Sequence, residues 1–539
     1  MEQLYYNGKI ITISGRDFED SPAEAVLVRD GMIAAVGSLD DVRAASGEQA
    51  VMVNLEGRCL MPSFIDAHGH MVMNGQMSLC ADLTGCTSFA DIVRVLKDFT
   101  AARQEGGDMP VIGYGYDHNF LKERRQPGRE VLDEVSTEIP VMILHVSGHL
   151  ACVNTPALRM AGIDADTPDP EGGRIGRYAD GREPDGYLEE TAMQQIQKAV
   201  GARMPFDIAK MMQGMQQIYI ENGITTVQDG ASTVQDLMLL DRMARQGQLL
   251  VDVVSYPLLT EEIRKIQEQF SHLTGGGDGH LKIGGYKLIL DGSPQGRSAW
   301  MSEPYLNGEE GYCGYPWLSD QEAERWITTA VEDKQQLLAH CNGDAASEQF
   351  LTLYEKVIRE TGCEEDLRPV MIHCQTVRND QLDRMARLNM IASIFVGHVW
   401  YWGDIHLHNF GSARGSRISP VKDALDRGVT VNFHQDTPVT KPDMLHSVWC
   451  AVNRISRSGA VIGAEQKISV YEALKAVTIQ AAYEYFEEDT KGSIEAGKRA
   501  DLVVLDRSPL DVDPMEIKDI QVMMTIKDGA VIYRRQQAE

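Results

Sequence analysis

A chain of 539 residues that is 43% hydrophobic can bury one large core and a smaller satellite domain, which excludes a disordered polymer. Its 79 acidic side chains outnumber 51 basic ones and leave a net charge of -28, a field that repels phosphate backbones and anionic bilayers, so neither nucleic acid nor a membrane is an expected partner. Nine cysteines without a CxxC pair point to reduced thiols in a cytoplasmic protein.

In chain order, residues 1–13 read as an amphipathic strand pair about Asn7-Gly8, without the basic and long apolar regions of a signal peptide. No stretch has the length of a transmembrane span. Residues 25–37, with the turn Arg29-Asp30-Gly31, match in character residues 500–505 and 522–533, with the turn Lys527-Asp528-Gly529. Asn-Gly and Asp-Gly between alternating apolar residues are hairpin signals. The spans 1–61 and 488–539 are therefore expected to form one small β-sandwich from both termini.

Between them, apolar runs at residues 63–70, 225–229, 250–256, 283–291, 336–341, 370–374, 390–395 and 429–436 alternate with helical stretches. That is the pattern of βα units, so the fold class is α/β, and eight units predict a (β/α)8 TIM barrel over residues 62–487 with its site at the strands' C-terminal ends. Roughly 150 residues, 71–223, separate the first strand from the second, far more than an ordinary loop. This insert has strand-like runs at 111–116 and 141–146 and a Gly/Pro/Asp-rich stretch at 167–186, and it is expected to serve as a cap over the barrel mouth.

Titratable residues sit at the ends of these runs. His68-Gly69-His70 closes the first, and at a period of two both imidazoles point to one side, as a metal requires or as ordinary loop polarity allows. His340, His373 and Asp436 end three later runs. A histidine at one strand end is usually structural, but four histidines and an aspartate on the strand ends of one barrel suit a divalent metal, with zinc favoured and manganese, iron or nickel open. Lys287 lies inside Tyr286-Lys287-Leu288-Ile289-Leu290, where a buried ammonium is costly. It either points outward or pairs with Asp291, or its amine is carbamylated and bridges two metals. Val399-Trp400-Tyr401-Trp402 is aromatic-rich; Trp400 either meets a flat or apolar group of a substrate or packs the cap.

Together these segments resemble the amidohydrolase superfamily, in particular its N-substituted formamide deformylase-like branch (amidohydrolase family 3). Residues 62–70 are similar to its first-strand HxH motif, KLILDGSPQGRSA from Lys287 to its K-x-x-x-DGS segment, and His340-Cys341-Asn342-Gly343-Asp344-Ala345-Ala346 to its HAxGDxA segment. His373-Cys374-Gln375, Asp436-Thr437-Pro438-Val439 and the closing stretch 492–502 also match, so the likeness spans nearly the whole chain. The resemblance implies His68, His70, His340 and His373 as metal ligands, Lys287 as an N6-carboxylysine bridge, and Asp436 as ligand and general base. It also places Tyr116, Asp117, His149, Asn154 and Glu190 near the substrate, where each could equally be scaffold polarity. The chain departs from the pattern at His434-Gln435, where Gly-Ser is usual, and at Phe395-Val396, where Gln-Pro is usual, while His398 remains.

The expected reaction is hydrolysis of an amide-like C–N bond in a small molecule, with one or two divalent metals per chain. Asp436 would move the proton, and His149, His398 or Arg297 would assist at the carbonyl oxygen. A homodimer is the assembly considered. A binding or regulatory protein on the same fold, and a lyase or isomerase using the same metal and base, are the competing readings.

Overall fold

The structure, a computed structural model, describes residues 2–14, 23–102, 109–146, 148, 150–170, 173–201, 208–276 and 279–536. The chain forms two compact units, residues 1–72 with 216–539, and residues 73–215.

In the first unit, Phe64–Ile65, Ile224–Ser232, Asp252–Pro257 and Leu281–Ile283 form a parallel four-stranded sheet. Gly285–Ile289, Gln336–Cys341, Val370–His373, Ile391–Ile394 and Val431–Phe433 form a parallel five-stranded one. Continuous Val, Ile and Leu runs suit parallel strands with both faces covered. The two sheets are joined where Leu259 N donates to Lys287 O at 2.9 Å and where Asp436 N donates to His68 O at 3.1 Å. Ile65, Val254, Leu338, Val370 and Ile391, drawn from both sheets, pack in one cluster with Ala481 and Tyr485.

The run 283–291 is not one strand. It divides at Gly284, the segment before it pairing with Asp252–Pro257 and the segment after it with Gln336–Cys341. A Cβ at Gly284 would stand 2.6 Å from the Tyr256 ring and from Val254, so only glycine lets the chain pass that close. The helices obey local rules. Asp320–Glu332 starts in a capping box of Ser319 with Glu322 and buries Ala323, Ile327, Ala330 and Val331 along one stripe.

The termini contribute two further sheets. One contains Met32–Gly37, Ala25–Arg29, Glu2–Tyr6 and Val51–Asn54, the other Lys9–Ile10, Cys59–Pro62, Leu502–Leu505, Val522–Lys527 and Ala530–Arg534. Tyr5, Val26 and Ile33 of the first share a core with Leu60, Leu502, Val504 and Ile526 of the second. Both Asp-Gly pairs turn as expected, with φ of 50° and 83° at Asp30 and Gly31 and 48° and 73° at Asp528 and Gly529, the positive pair a tight hairpin needs. Asn7-Gly8 closes no hairpin, because the strands on either side of it go to different sheets.

The second unit holds a six-stranded sheet in the order Gly173–Arg177, Pro184–Glu190, Leu150–Val153, Val141–His145, Val111–Tyr116, Ala81–Asp82. Alternation sends Val111, Val141, Ile143 and Cys152 to one apolar cluster and Ile112, Met142, Leu144 and Val153 to another, so both faces are covered. Among the described residues no helix is long and apolar enough to cross a membrane.

Candidate metal centre

His68 and His70 follow the short strand Phe64–Ile65, and their backbone continues the pairing toward the last strand: Asp436 N donates to His68 O, and His70 N donates to Thr437 O at 2.7 Å. This places both imidazoles against the Asp436 carboxylate. Oδ1 of Asp436 is 3.6 Å from His68 Nε2 and 3.2 Å from His70 Nε2, and Oδ2 is 3.9 Å from His373 Nε2. Asp436 and His373 both hold a left-handed backbone, with φ of 55° and 72°. Non-glycine residues pay strain for that conformation, and it concentrates where a side chain must be aimed.

The outer nitrogens fix the tautomers. Gln228 uses its amide N–H groups on Ala67 O and Glu484, so its Oε1 accepts from His68 Nδ1 at 2.5 Å. Gly230 O accepts from His70 Nδ1 at 2.8 Å. Each ring therefore turns an Nε2 lone pair toward Asp436. His340 Nδ1 donates to Asp291 Oδ1 at 3.2 Å, and the His340 and His373 rings lie 4.5 Å apart. Behind His373, Nδ1 meets His434 Nε2 at 3.2 Å, and His434 Nδ1 meets Ser393 Oγ at 2.9 Å.

Lys287 points inward. Its side chain is buried and Nζ lies 3.2 Å from His68 Nε2, while Asp291 is engaged by the backbone N–H groups of Trp300, Asn342 and Gly343. Neither the outward orientation nor the Asp291 pair holds. Burial lowers the Lys287 amine to about 8. Burial pushes the Asp436 carboxyl up, but the facing His70 imidazole, first among its neighbours, holds it well below the usual range. Burial keeps His68 and His373 neutral, far below the ordinary imidazole value.

The donor set fits a divalent cation. Asp436 Oδ1 is buried and accepts no hydrogen bond, and it faces imidazole lone pairs whose protons are committed elsewhere. Lone pairs turned on one another in a dry site repel unless a cation lies among them. His68, His70 and Asp436 offer ligand atoms within 4.8 Å of one another.

The other expected residues are placed as follows. His398 is buried beside the centre, its ring 6.1 Å from that of His373 and 4.3 Å from Phe395. Arg297 is exposed and donates to Asn307 O at 2.5 Å. Trp400 packs edge-on against Trp449 at 5.3 Å, beneath the Lys518 ammonium. In the second unit, Tyr116 is buried and its hydroxyl donates to Gln126 Oε1 at 2.9 Å. Asn154 caps the helix Thr155–Ala161, accepts from Val141 N and donates to Ser136 O and Ile139 O. Asp117 lies against His118 and His145. Glu190 ends the strand Pro184–Glu190, and His149 lies outside the described residues. Gln228, Asp291, Ser393, His434 and Glu484 were not singled out as site residues. Two of them leave a sequence signal: His434 by its departure from Gly-Ser, and Asp291 by its place in the K-x-x-x-DGS segment.

A family model described as "Amidohydrolase family" matches residues 51–533, and the chain belongs to that family. A model of an imidazolonepropionase-like composite domain matches residues 25–46. The chain is 29% identical to an N-substituted formamide deformylase of Arthrobacter pascens over 99% of this chain and 98% of that one. It is 27% identical to the putative amidohydrolase YtcJ of Bacillus subtilis, over 99% and 100%. Among solved structures it is similar to an uncharacterized metal-dependent hydrolase from Pyrococcus horikoshii, with a TM-score of 0.75 and 23% identity over 95% of this chain and 99% of that one.

Proposed function

We propose that the chain is a metal-dependent hydrolase of an amide-like C–N bond in a small molecule, its two parallel sheets forming one (β/α)8 barrel. The observation that carries this is the buried Asp436 Oδ1, without a hydrogen bond and faced by His68 Nε2 and His70 Nε2. His68, His70, His340, His373 and Asp436 would hold one or two divalent ions, zinc first among them, with Lys287 as a carbamylated bridge. A bound ion supplies Lewis acidity, polarising a carbonyl and acidifying water beside it. Asp436, its carboxyl held well below the usual range, accepts the proton of the attacking water and returns it to the leaving nitrogen. Gln228, Gly230, Asp291 and the pair His434 and Ser393 hold the imidazoles in the tautomers this needs. His398, beside His373, is the donor assigned to the developing oxyanion.

The full-length likeness to a protein named N-substituted formamide deformylase supports N-substituted formamides as the first substrates to try. The insert, residues 71–223, is assigned the specificity role. Metal analysis of the purified chain, with turnover of N-substituted formamides and other N-acyl amines in heavy-oxygen water, tests the reading. One or two equivalents of metal and one solvent oxygen in the acid product are expected. Product without solvent oxygen would indicate a lyase or isomerase, and no metal with no turnover would leave only a binding role.

A further inference from the structure

A second group, two histidines and a carboxylate, belongs to the unit 73–215. The strands Val111–Tyr116 and Val141–His145 run parallel, with His145 paired to Tyr116 at their C-terminal ends. Asp117 and His118 follow the first strand directly, and His145 is the last residue of the second. Ligand-binding residues in parallel sheets collect at such ends, where neighbouring loops diverge.

His118 Nδ1 lies 3.2 Å from His145 Nε2, Asp117 Oδ1 lies 3.5 Å from His145 Nε2, and Asp117 Oδ1 lies 3.8 Å from His118 Nδ1. The circle through three points so separated has a radius of about 2.0 Å, the length of a zinc bond to imidazole nitrogen or carboxylate oxygen. An ion about 0.5 Å above that plane would make three bonds of ordinary length and keep a fourth position open, between trigonal and tetrahedral. A plain hydrogen-bonded triad, with His145 Nε2–H shared between His118 and Asp117, would give the same three distances, so metal content is what separates the two. The Asn119 backbone N–H donates to Asp117 Oδ1 at 2.8 Å and the Asn119 amide at 3.0 Å, which fixes the carboxylate's aim as outer hydrogen bonds do for metal ligands.

We infer that Asp117, His118 and His145 bind one divalent cation of the zinc type, with no ligand in common with His68, His70 and Asp436. It ties the segment after Val111–Tyr116 to the end of Val141–His145. The inference does not depend on the proposed reaction.

The test uses the full chain, stripped with chelator and reloaded with Zn²⁺ or Co²⁺, in three variants: His68→Ala with His70→Ala, His118→Gln with His145→Gln, and all four together. Metal per chain is measured by mass spectrometry, and Co²⁺ ligand-field absorption reports coordination. The first variant should retain one equivalent that the fourfold variant lacks, and the second should lose one equivalent relative to the parent. If the first variant holds no more metal than the fourfold one, the site does not exist. Should the first variant fail to fold by circular dichroism, the parent and the His118/His145 variant decide alone, and equal metal content in the two overturns the inference.

Discussion

At the scale of single residues, Asp436 and His434 make separable predictions. Asp436→Asn keeps an oxygen toward the histidines but removes the proton acceptor, so turnover should fall by about 10²- to 10⁴-fold with metal retained. Near-normal kcat with metal bound would show that Asp436 only shapes its turn. His434→Ala removes the acceptor for His373 Nδ1 and leaves that proton buried and unpaired. Metal affinity should drop by about 10- to 100-fold, read by competition with a chelator, and the melting temperature should fall as well, since each buried polar group left unpaired costs about 1–3 kcal/mol. The proposed ligands were legible in the sequence because they end apolar runs: His68, His70, His340, His373 and Asp436 all do. Gln228 and Glu484 were not, because what gives them a role is a partner on another element, such as His68 for Gln228; Asp291 stood out beside Lys287, but its true partner, His340, comes from the neighbouring strand.

At the scale of elements, the helix Ile479–Glu484 carries a buried carboxyl beneath the centre. Glu484 accepts from Asn432 Nδ2 at 2.5 Å and Gln228 Nε2 at 3.2 Å, yet burial raises it to about 8. A carboxyl with a folded value above its unfolded one binds more protons when folded. Its contribution to stability is complete below the unfolded value of about 4.5 and is lost as pH rises through about 8. The parent should lose melting temperature between pH 5 and pH 8.5 relative to Glu484→Gln, which has no proton to shed; parallel curves would show that Glu484 stays ionised throughout. Asn154 belongs at this scale too. It caps a helix and holds three backbone groups, so Asn154→Ala should destabilise by about 2 kcal/mol or more, while kcat/KM at a permissive temperature stays close to the parent's. A large kcat/KM loss in a stably folded variant would restore its substrate-contact role. Most strands fell near their expected positions because β-branched runs between turn residues are a local signal. The division at Gly284 was hidden because the close approach that demands it comes from Val254 and Tyr256, a strand away.

At the scale of the whole molecule, the two ends of the chain are structurally inseparable. Leu502–Leu505 lies between Cys59–Pro62 and Val522–Lys527, antiparallel to both, with all four residues buried. Lys527 Nζ stands 3.1 Å from both Asp501 and Asp252, and Asp252 opens the parallel strand Asp252–Pro257. The turn chemistry of Asp30-Gly31 and Asp528-Gly529 made the terminal strands legible, but this buried charge cluster joins residues hundreds apart and had no sequence signature. Removing residues 500–539 would expose Leu60, Met61, Val26 and Val28 and withdraw Lys527 from Asp252. Each large apolar side chain returned to water costs about 1.5–3 kcal/mol, against a total stability of roughly 5–15 kcal/mol for a folded domain. The truncated chain 1–499 should therefore show no cooperative thermal transition by circular dichroism and bind no stoichiometric metal through His68 and His70. A transition within a few degrees of the full chain's would show that the parallel sheets stand without the C-terminal strands.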